Sequence, residues 1–302
     1  MRLVGLILFL SFSEAQDLQV KYVSAYTIDF DWGGEVESVA EVTAARGYLR
    51  FNGKLNPKRW IFRFFGGERG FIVITGTDNS IGYNAKRERY WVLPYGSMNM
   101  FADMSLGNPS KEKTEETSTT QEPDEKETSK REDRNDFGNF IKEIFKDDTS
   151  TIQIDRFLSD GTEIINGFRT SKWTTTIYTK NNKLVIDEWV VDQLLLKDSL
   201  YSYLLPMITD DDFEDFTIEK VSSRDFIRQV DSTYSLEASN ESIVLAKLLV
   251  DSDNSWIQSA SFEIRELYAV PFDASSFAIP EEYERIQIDE DSDEDAQEKE
   301  ID

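Results

Sequence analysis

The chain has 302 residues and a formal net charge of −25, with 33 Lys and Arg against 58 Asp and Glu, and it contains neither His nor Cys. Without His there are no imidazole bases or His-ligated metals, and without Cys there are no disulfides, thiolate nucleophiles or iron–sulfur clusters. The strong negative charge also opposes binding to nucleic acid, because phosphate contacts need Lys and Arg.

The first 15 residues have the features of a secretory signal peptide. A short basic start precedes an apolar run from Leu3 to Leu10, and small residues follow at Ser13 and Ala15. Signal peptidase reads small residues at these two positions, which predicts cleavage before Gln16. The apolar run is shorter than the roughly 20 residues that cross a bilayer, and no later segment reaches that length. We expect an exported protein, periplasmic or secreted, without a transmembrane span; the alternative is a buried N-terminal strand or a short anchor.

An antiparallel meander is predicted for the first third of the chain. From Leu18 to Trp32 apolar side chains occupy most even positions and polar ones many odd positions, and this period of two indicates a strand with one buried face. The pair Gly33-Gly34 ends it, and a second strand over 38–51 is predicted to end at Asn52-Gly53, a favoured hairpin turn. Shorter strands are expected over 71–75, 81–85 and 89–93. The pattern is typical of a sheet with one apolar and one hydrated face.

Two segments have compositions that oppose folding. Residues 108–136 contain ten acids, six bases and no aromatic residue, and residues 281–302 contain twelve acids and two bases. Dense charge with little hydrophobicity does not offset the entropy of ordering a chain, so both segments are predicted to be disordered. The tail repeats acids from Asp289 onwards at the spacing of a calcium loop, but Glu294 stands where such a loop needs Gly. This departure favours a solvated acidic tail over a metal site.

Two short helices are predicted after the charged insertion. Apolar residues recur at helical spacing from Phe137 to Phe145, and Leu and Tyr do so over 194–208, where the second helix ends near Pro206. We expect these helices to pack on the predicted sheet.

The remaining segments of the second half are predicted to be strands. Residues 164–179 and 183–191 form a hairpin around Asn181-Asn182, because Asn tolerates positive φ. Strands over 242–251 and 256–270 close the fold. Residues 16–107 and 137–280 are therefore assigned to one β domain.

Three short motifs of the second half carry a family resemblance. They are Glu163-Ile164-Ile165-Asn166-Gly167-Phe168, Lys172-Trp173-Thr174 and Asp187-Glu188-Trp189-Val190. In these motifs a turn leads into a strand, and the partner strand ends in an acidic residue followed by Trp. This arrangement resembles the one in exported proteins with a LolA/LppX-like fold. The closing segment, with Pro271-Phe272-Asp273 and Ile279-Pro280, is similar to that of an uncharacterised domain-of-unknown-function family in this group. The chain departs from the lipoprotein carriers by its charged insertion, its acidic tail and the absence of the Cys that anchors LppX-type members.

The resemblance implies a mainly β (α+β) fold, in which a strongly curved antiparallel sheet forms an unclosed barrel and a few helices cover its concave face. Members with known roles hold the acyl chains of lipids or lipoproteins in an apolar cavity. The candidate cavity-lining residues are Tyr22, Tyr26, Phe30, Phe62, Phe64, Trp91, Trp173, Ile177 and Trp189 on the sheet, with Leu195, Leu196 and Leu200 on a covering helix. The alternative is that these side chains fill a packed core.

The sequence leaves three functions open. The favoured one is a non-enzymatic binding protein that carries a lipid, an acyl chain or another hydrophobic ligand. The second is a cell-envelope module whose acidic tail or insertion binds a basic protein. The third is a hydrolase, because two carboxylates such as Asp29 and Asp31, or Asp187 and Glu188, can catalyse glycoside hydrolysis without His. Because Asp29 and Asp31 lie opposite the aromatic face, where solvated acids are ordinary, we assign no catalytic residue, metal or cofactor.

Overall fold

The computed structural model describes residues 17–58, 67–94, 144, 152–204, 206–207, 241–252 and 255–287. Within them the protein is mainly β, with one large, mostly antiparallel, unclosed sheet of 13 strands and one α-helix, α1 (Leu195–Leu204). The strands are β1 (Leu18–Phe30), β2 (Gly34–Ala45), β3 (Tyr48–Pro57), β4 (Gly67–Ile74), β5 (Asn79–Asn84), β6 (Arg89–Pro94), β7 (Gln153–Leu158), β8 (Glu163–Ile165), β9 (Phe168–Tyr178), β10 (Lys183–Val191), β11 (Ser242–Asp251), β12 (Ile257–Pro271) and β13 (Glu284–Arg285).

The strand order is β13-β6-β5-β4-β3-β2-β1-β12-β11-β10-β9-β7, and β8 pairs with β9. All neighbours are antiparallel except β13, which runs parallel to β6. The prediction of a mainly β, antiparallel, unclosed sheet is thus confirmed. The helix predicted over 194–208 is confirmed as α1, whereas Ile144 is the one described residue of the helix predicted over 137–145, and it is helical. The predicted set of a few covering helices is not confirmed in the described part of the chain.

β1 lies in the middle of the sheet between β2 and β12. The strand predicted from Leu18 is confirmed, but Gln19 and Ala25 show that its odd face is partly buried too. Tyr22 faces Val42 on one side and Leu267 on the other. Opposed residues of neighbouring strands point to the same side of a sheet. The even positions of β1 therefore share one face with the side chains that oppose them.

The first hairpin turn after β2 was predicted at the wrong place. The chain turns at Arg46 and Gly47, where Gly47 has a φ of +80°, and Asn52-Gly53 lies inside β3. Asn52 donates a hydrogen bond from Nδ2 to Glu68 Oε1 at 2.8 Å, which holds it in the strand. An Asn-Gly turn does occur at Asn166 and Gly167, because both have positive φ there. This turn divides the predicted strand 164–179 into β8 and β9.

One side of the sheet, which we call the helix face, is the side on which α1 packs. α1 contacts β1, β2, β3 and β12. Leu200 and Leu204 of the helix pack with Val20 and Phe71 of the sheet in the largest apolar cluster. Phe51 and Phe71 stack in this cluster with ring centroids 5.2 Å apart. The amphipathic spacing of α1 accounts for this contact, because residues four apart lie on one helical face.

The opposite face of β3 to β6 is also covered, so the prediction of one hydrated face is wrong for this part. Ile72 and Tyr83 pack there against Phe277 of the C-terminal segment. Gln19 fixes this segment, because its Oε1 accepts from the backbone N–H of Asp273 at 3.0 Å. The C-terminal segment ends in β13, so ordered chain extends past residue 281, where the acidic tail was predicted to begin.

Candidate functional site

The helix face brings together most of the described residues predicted to line a cavity. Tyr22, Tyr26, Leu196 and Leu200 belong to the largest apolar cluster. Ile177 belongs to a second cluster on the same face, with Ile144, Leu184, Ile186 and Leu248. The register places it there, because Ile177 opposes Leu184 and that row continues to Val250.

Three further aromatic residues of the prediction lie on the helix face outside these clusters. Phe30, at the end of β1, stacks on Trp256 with centroids 5.4 Å apart and an interplanar angle of 8°. Trp91 covers Gly82, where an added Cβ would come within 2.5 Å of the indole ring. The ring of Trp173 lies 4.7 Å from the guanidinium carbon of Arg156. These contacts distribute the aromatic residues over the whole width of the sheet.

Two predicted lining residues are placed elsewhere. Trp189 points to the opposite face from its neighbour Glu188, and its Nε1 donates to Glu163 Oε2 at 3.0 Å. Lys172 Nζ lies 4.6 Å from the Trp189 ring centroid. Leu195 is 66% exposed at the start of α1. Neither residue belongs to a common lining with the others, because strand alternation and the helical turn direct them away.

The other two predicted lining residues, Phe62 and Phe64, lie outside the described residues. The acidic tail pattern from 289 and the charged insertion over 108–136 lie outside them as well.

Beyond the edge of α1, the helix face continues as a row of half-buried apolar side chains, which we call the open strip. Its members are Tyr26, Ile28, Phe30, Val36, Leu55 and Ala260. The register brings them together, because Ile28 opposes Val36 on β2 and Ala260 on β12. Leu55 joins through Ser38, which Tyr26 and Leu55 both oppose. The cavity prediction missed Val36, Leu55 and Ala260, since strand periodicity gives the face of a residue but not its cross-strand partner.

Polar groups lie where the open strip borders the largest apolar cluster. Tyr26 is largely buried, and burial raises the pKa of its phenol, with Tyr22 and Tyr201 adding to the rise. The phenol is therefore neutral and retains its proton for donation. Ser24, two residues away on the same face, is fully buried, and within the described chain its Oγ has no hydrogen-bond partner.

A buried ion pair lies further along the helix face. Arg156 Nη1 is 3.1 Å from Glu188 Oε2 and 2.8 Å from Thr175 Oγ1. Glu188 lies in the same cross-strand row as Tyr26, through Ala246 and Phe262. With strands about 4.8 Å apart, three strand spacings separate the two residues by about 14 Å. The helix face thus combines an apolar strip with a charged group at a fixed distance.

One carboxylate of each pair considered for hydrolysis is held by a neighbouring side chain. Asp187 is bound to Lys172 Nζ at 2.9 Å and accepts from Thr174 Oγ1 at 2.6 Å. Asp31 accepts from Gln258 Nε2 at 2.9 Å in a turn. Among the described residues, no group of three or more acidic side chains is arranged to hold a metal ion.

Comparison with known proteins adds no assignment. No protein-family model matches the chain, and no curated protein is significantly similar to it. In the described part of the chain, no helix is long and apolar enough to cross a membrane.

Proposed function

We propose that the protein is a non-enzymatic, exported binding protein that holds an apolar molecule, such as a lipid or an acyl chain, on the helix face of its sheet. The observation that carries the proposal is the open strip. Its six apolar side chains are contiguous with the largest apolar cluster and yet stay partly accessible to solvent. Half-buried apolar surface next to a core is suited to a ligand, because covering it removes more apolar area from water.

The irregularities of β12 support a curved binding surface. Arg265 is an extra residue opposite Val23 and Ser24, and Gln258 is a second one opposite Asp29 and Phe30. Such bulges bend a strand and increase its twist. Both bulges lie in the strand next to β1, so a bend of β12 there would make the surface that carries the open strip curved. The resemblance of the sequence motifs to the LolA/LppX-like fold supports the same proposal.

Acyl chains fit the strip better than small polar ligands do. Each buried CH₂ group contributes about 0.8 kcal/mol, so a long chain gains affinity from an extended apolar strip. The neutral phenol of Tyr26 at the edge of the strip provides a donor for an ester or carboxyl oxygen.

The test is extraction of the purified full chain with organic solvent, followed by mass spectrometry and by titration with a fluorescent fatty-acid analogue. Val36→Lys places a charge on the strip and is expected to weaken binding by about tenfold or more. Val39→Lys is the matched control, because Val39 lies on the opposite face of the same strand. No extracted lipid together with no saturable probe binding would contradict the proposal. Equal loss in both variants would also contradict it.

A further inference from the structure

Two neighbouring turns at one end of the sheet each expose a Trp. Trp32 is 63% exposed in the turn after β1, and Trp256 is 53% exposed just before β12. Because Phe30 opposes Ile257, the two turns lie at the same end of the sheet. The backbone N–H of Asp31 donates to the carbonyl of Trp256 at 3.0 Å, which joins the turns directly. We call Phe30, Trp32 and Trp256 the aromatic tip.

The aromatic tip is ordered although its indoles face water. Phe30 stacks on Trp256 almost in parallel, at an interplanar angle of 8°. Gln258 Nε2 donates to Asp31 Oδ1 at 2.9 Å and braces the same two turns. Aromatic rings that are held before contact lose little conformational entropy on binding, so their apolar area contributes more fully to affinity.

The charges beside the aromatic tip indicate the kind of partner. Asp29, Asp31 and Glu35 are acidic, and the nearby Lys58 is bound to Glu35 at 2.5 Å. The whole chain carries a net charge of −25. These described residues do not form a basic patch for an anionic surface. Trp is the side chain that is enriched where a bilayer meets water, since its ring is apolar and its N–H is a donor.

We propose that the aromatic tip docks the protein on the interface of a zwitterionic phospholipid membrane. Phe30 belongs to both the aromatic tip and the open strip, so the apolar surface runs without a break from the docked end into the helix face. An acyl chain leaving the bilayer would then meet apolar side chains along its path. The docking itself does not depend on the function proposed for the open strip.

The experiment is flotation of the full chain with phosphatidylcholine vesicles. We expect binding that persists at about 0.5 M salt, because the contact is apolar and salt screens only charges. Replacing both indoles, W32A/W256A, is expected to lower the partition coefficient by about tenfold or more, through the lost apolar area. Tyr268→Ala is the matched control, because Tyr268 is an exposed aromatic residue near the other end of β12.

A second measurement, made on the unaltered protein, keeps the test valid even if the variant does not fold. Brominated phosphatidylcholine should quench part of the Trp fluorescence, and that part should be missing in W32A/W256A. Failure of the unaltered chain to float, or equal flotation of W32A/W256A, would overturn the proposal. Binding that needs anionic lipid and disappears with salt would also overturn it. So would self-association through the indoles without vesicle binding. Val36→Lys should still float, which separates docking from ligand binding.

Discussion

Arg156 and Glu188 form an ion pair with side chains only 5% and 3% exposed, on the face of the sheet that also carries the apolar clusters. Removing one partner leaves the other charge buried, so Glu188→Gln should lower the free energy of unfolding by about 3–5 kcal/mol. The double variant R156M/E188L should lose less than the sum of the single variants, because it leaves no unpaired charge. Urea unfolding measures all three.

The control for this pair is Lys58→Ala, which breaks a surface ion pair whose lysine is 65% exposed. Exposed pairs contribute about 0–1 kcal/mol, so this variant should resemble the unaltered protein. A loss for Glu188→Gln as small as that for Lys58→Ala would show that the buried pair is not a stabilising element.

A second prediction concerns the contact of Gly70 with the ring of Tyr83. A Cβ at Gly70 would come within 2.4 Å of that ring and 2.2 Å of the Phe51 carbonyl oxygen. Gly70→Ala is therefore expected to destabilise the protein by about 1–3 kcal/mol or more, because backbone and ring must move. Gly67 lies on the same strand, and a Cβ added there would have no atom within 4 Å. Gly67→Ala should therefore change the midpoint of thermal unfolding little. Equal effects would refute the close packing.

A third prediction separates the two sides of α1. Leu200 is 1% exposed and Leu195 is 66% exposed. Leu200→Ala should lower the free energy of unfolding by about 2–5 kcal/mol through the cavity it leaves. Leu195→Ala should stay within about 0.5 kcal/mol, as surface substitutions do. Denaturant unfolding followed by circular dichroism distinguishes them, and the reverse order would mean that α1 packs by its other face.

The pH dependence of stability should report on Glu37. Its pKa is lowered because Arg265 hydrogen-bonds its carboxylate, with a further hydrogen bond from Asn56. A carboxyl whose pKa is lower in the folded state stabilises the protein above its unfolded pKa, and this contribution is lost as the pH falls through the folded value. The stability difference between the unaltered protein and Glu37→Gln should therefore be largest above the ordinary pKa range of glutamate, and it should shrink as the pH falls below that range and through the lowered folded-state pKa.

Glu41→Gln is the control for the loss of one negative charge, because Glu41 is an exposed carboxylate on the same strand. Urea unfolding at several pH values gives the curves for all three proteins. If the free energy of unfolding of Glu37→Gln changed with pH in parallel with that of the unaltered protein, the hydrogen bond to Arg265 would have no role in the loss of stability at low pH.

Local sequence patterns predicted the positions of single elements such as β1 and α1. They failed to predict features that depend on contacts between segments distant in sequence. The alternation from Leu18 located β1, and the spacing of Leu and Tyr located α1. The same dipeptide, Asn-Gly, forms a turn at residue 166 and lies inside a strand at residue 52. At residue 52 the flanking apolar residues Phe51 and Leu55 keep the strand paired, so tertiary packing overrides the local preference.

The site shows the same division. Periodicity placed Tyr22, Tyr26 and Phe30 on one face, which the structure places together on the helix face. Trp189 lies on the opposite face, because its neighbour Glu188 pairs with Trp173 and Ala246 on the helix face. The open strip depends on the pairing of β1 with β2 and β12 and on the pairing of β2 with β3. The register between strands that are distant in sequence cannot be read from any single segment.

The central place of β1 also has a consequence for the order of assembly. One edge of β1 pairs with β2, which follows it directly in sequence. The other edge pairs with β12, which is synthesised only after most of the chain. Until then a long strand presents free amide and carbonyl groups, the condition under which chains stick to one another. A fragment that ends before β12 should therefore aggregate. The full chain should fold slowly for its size, because the pairing of β1 with β12 joins segments that are far apart in sequence.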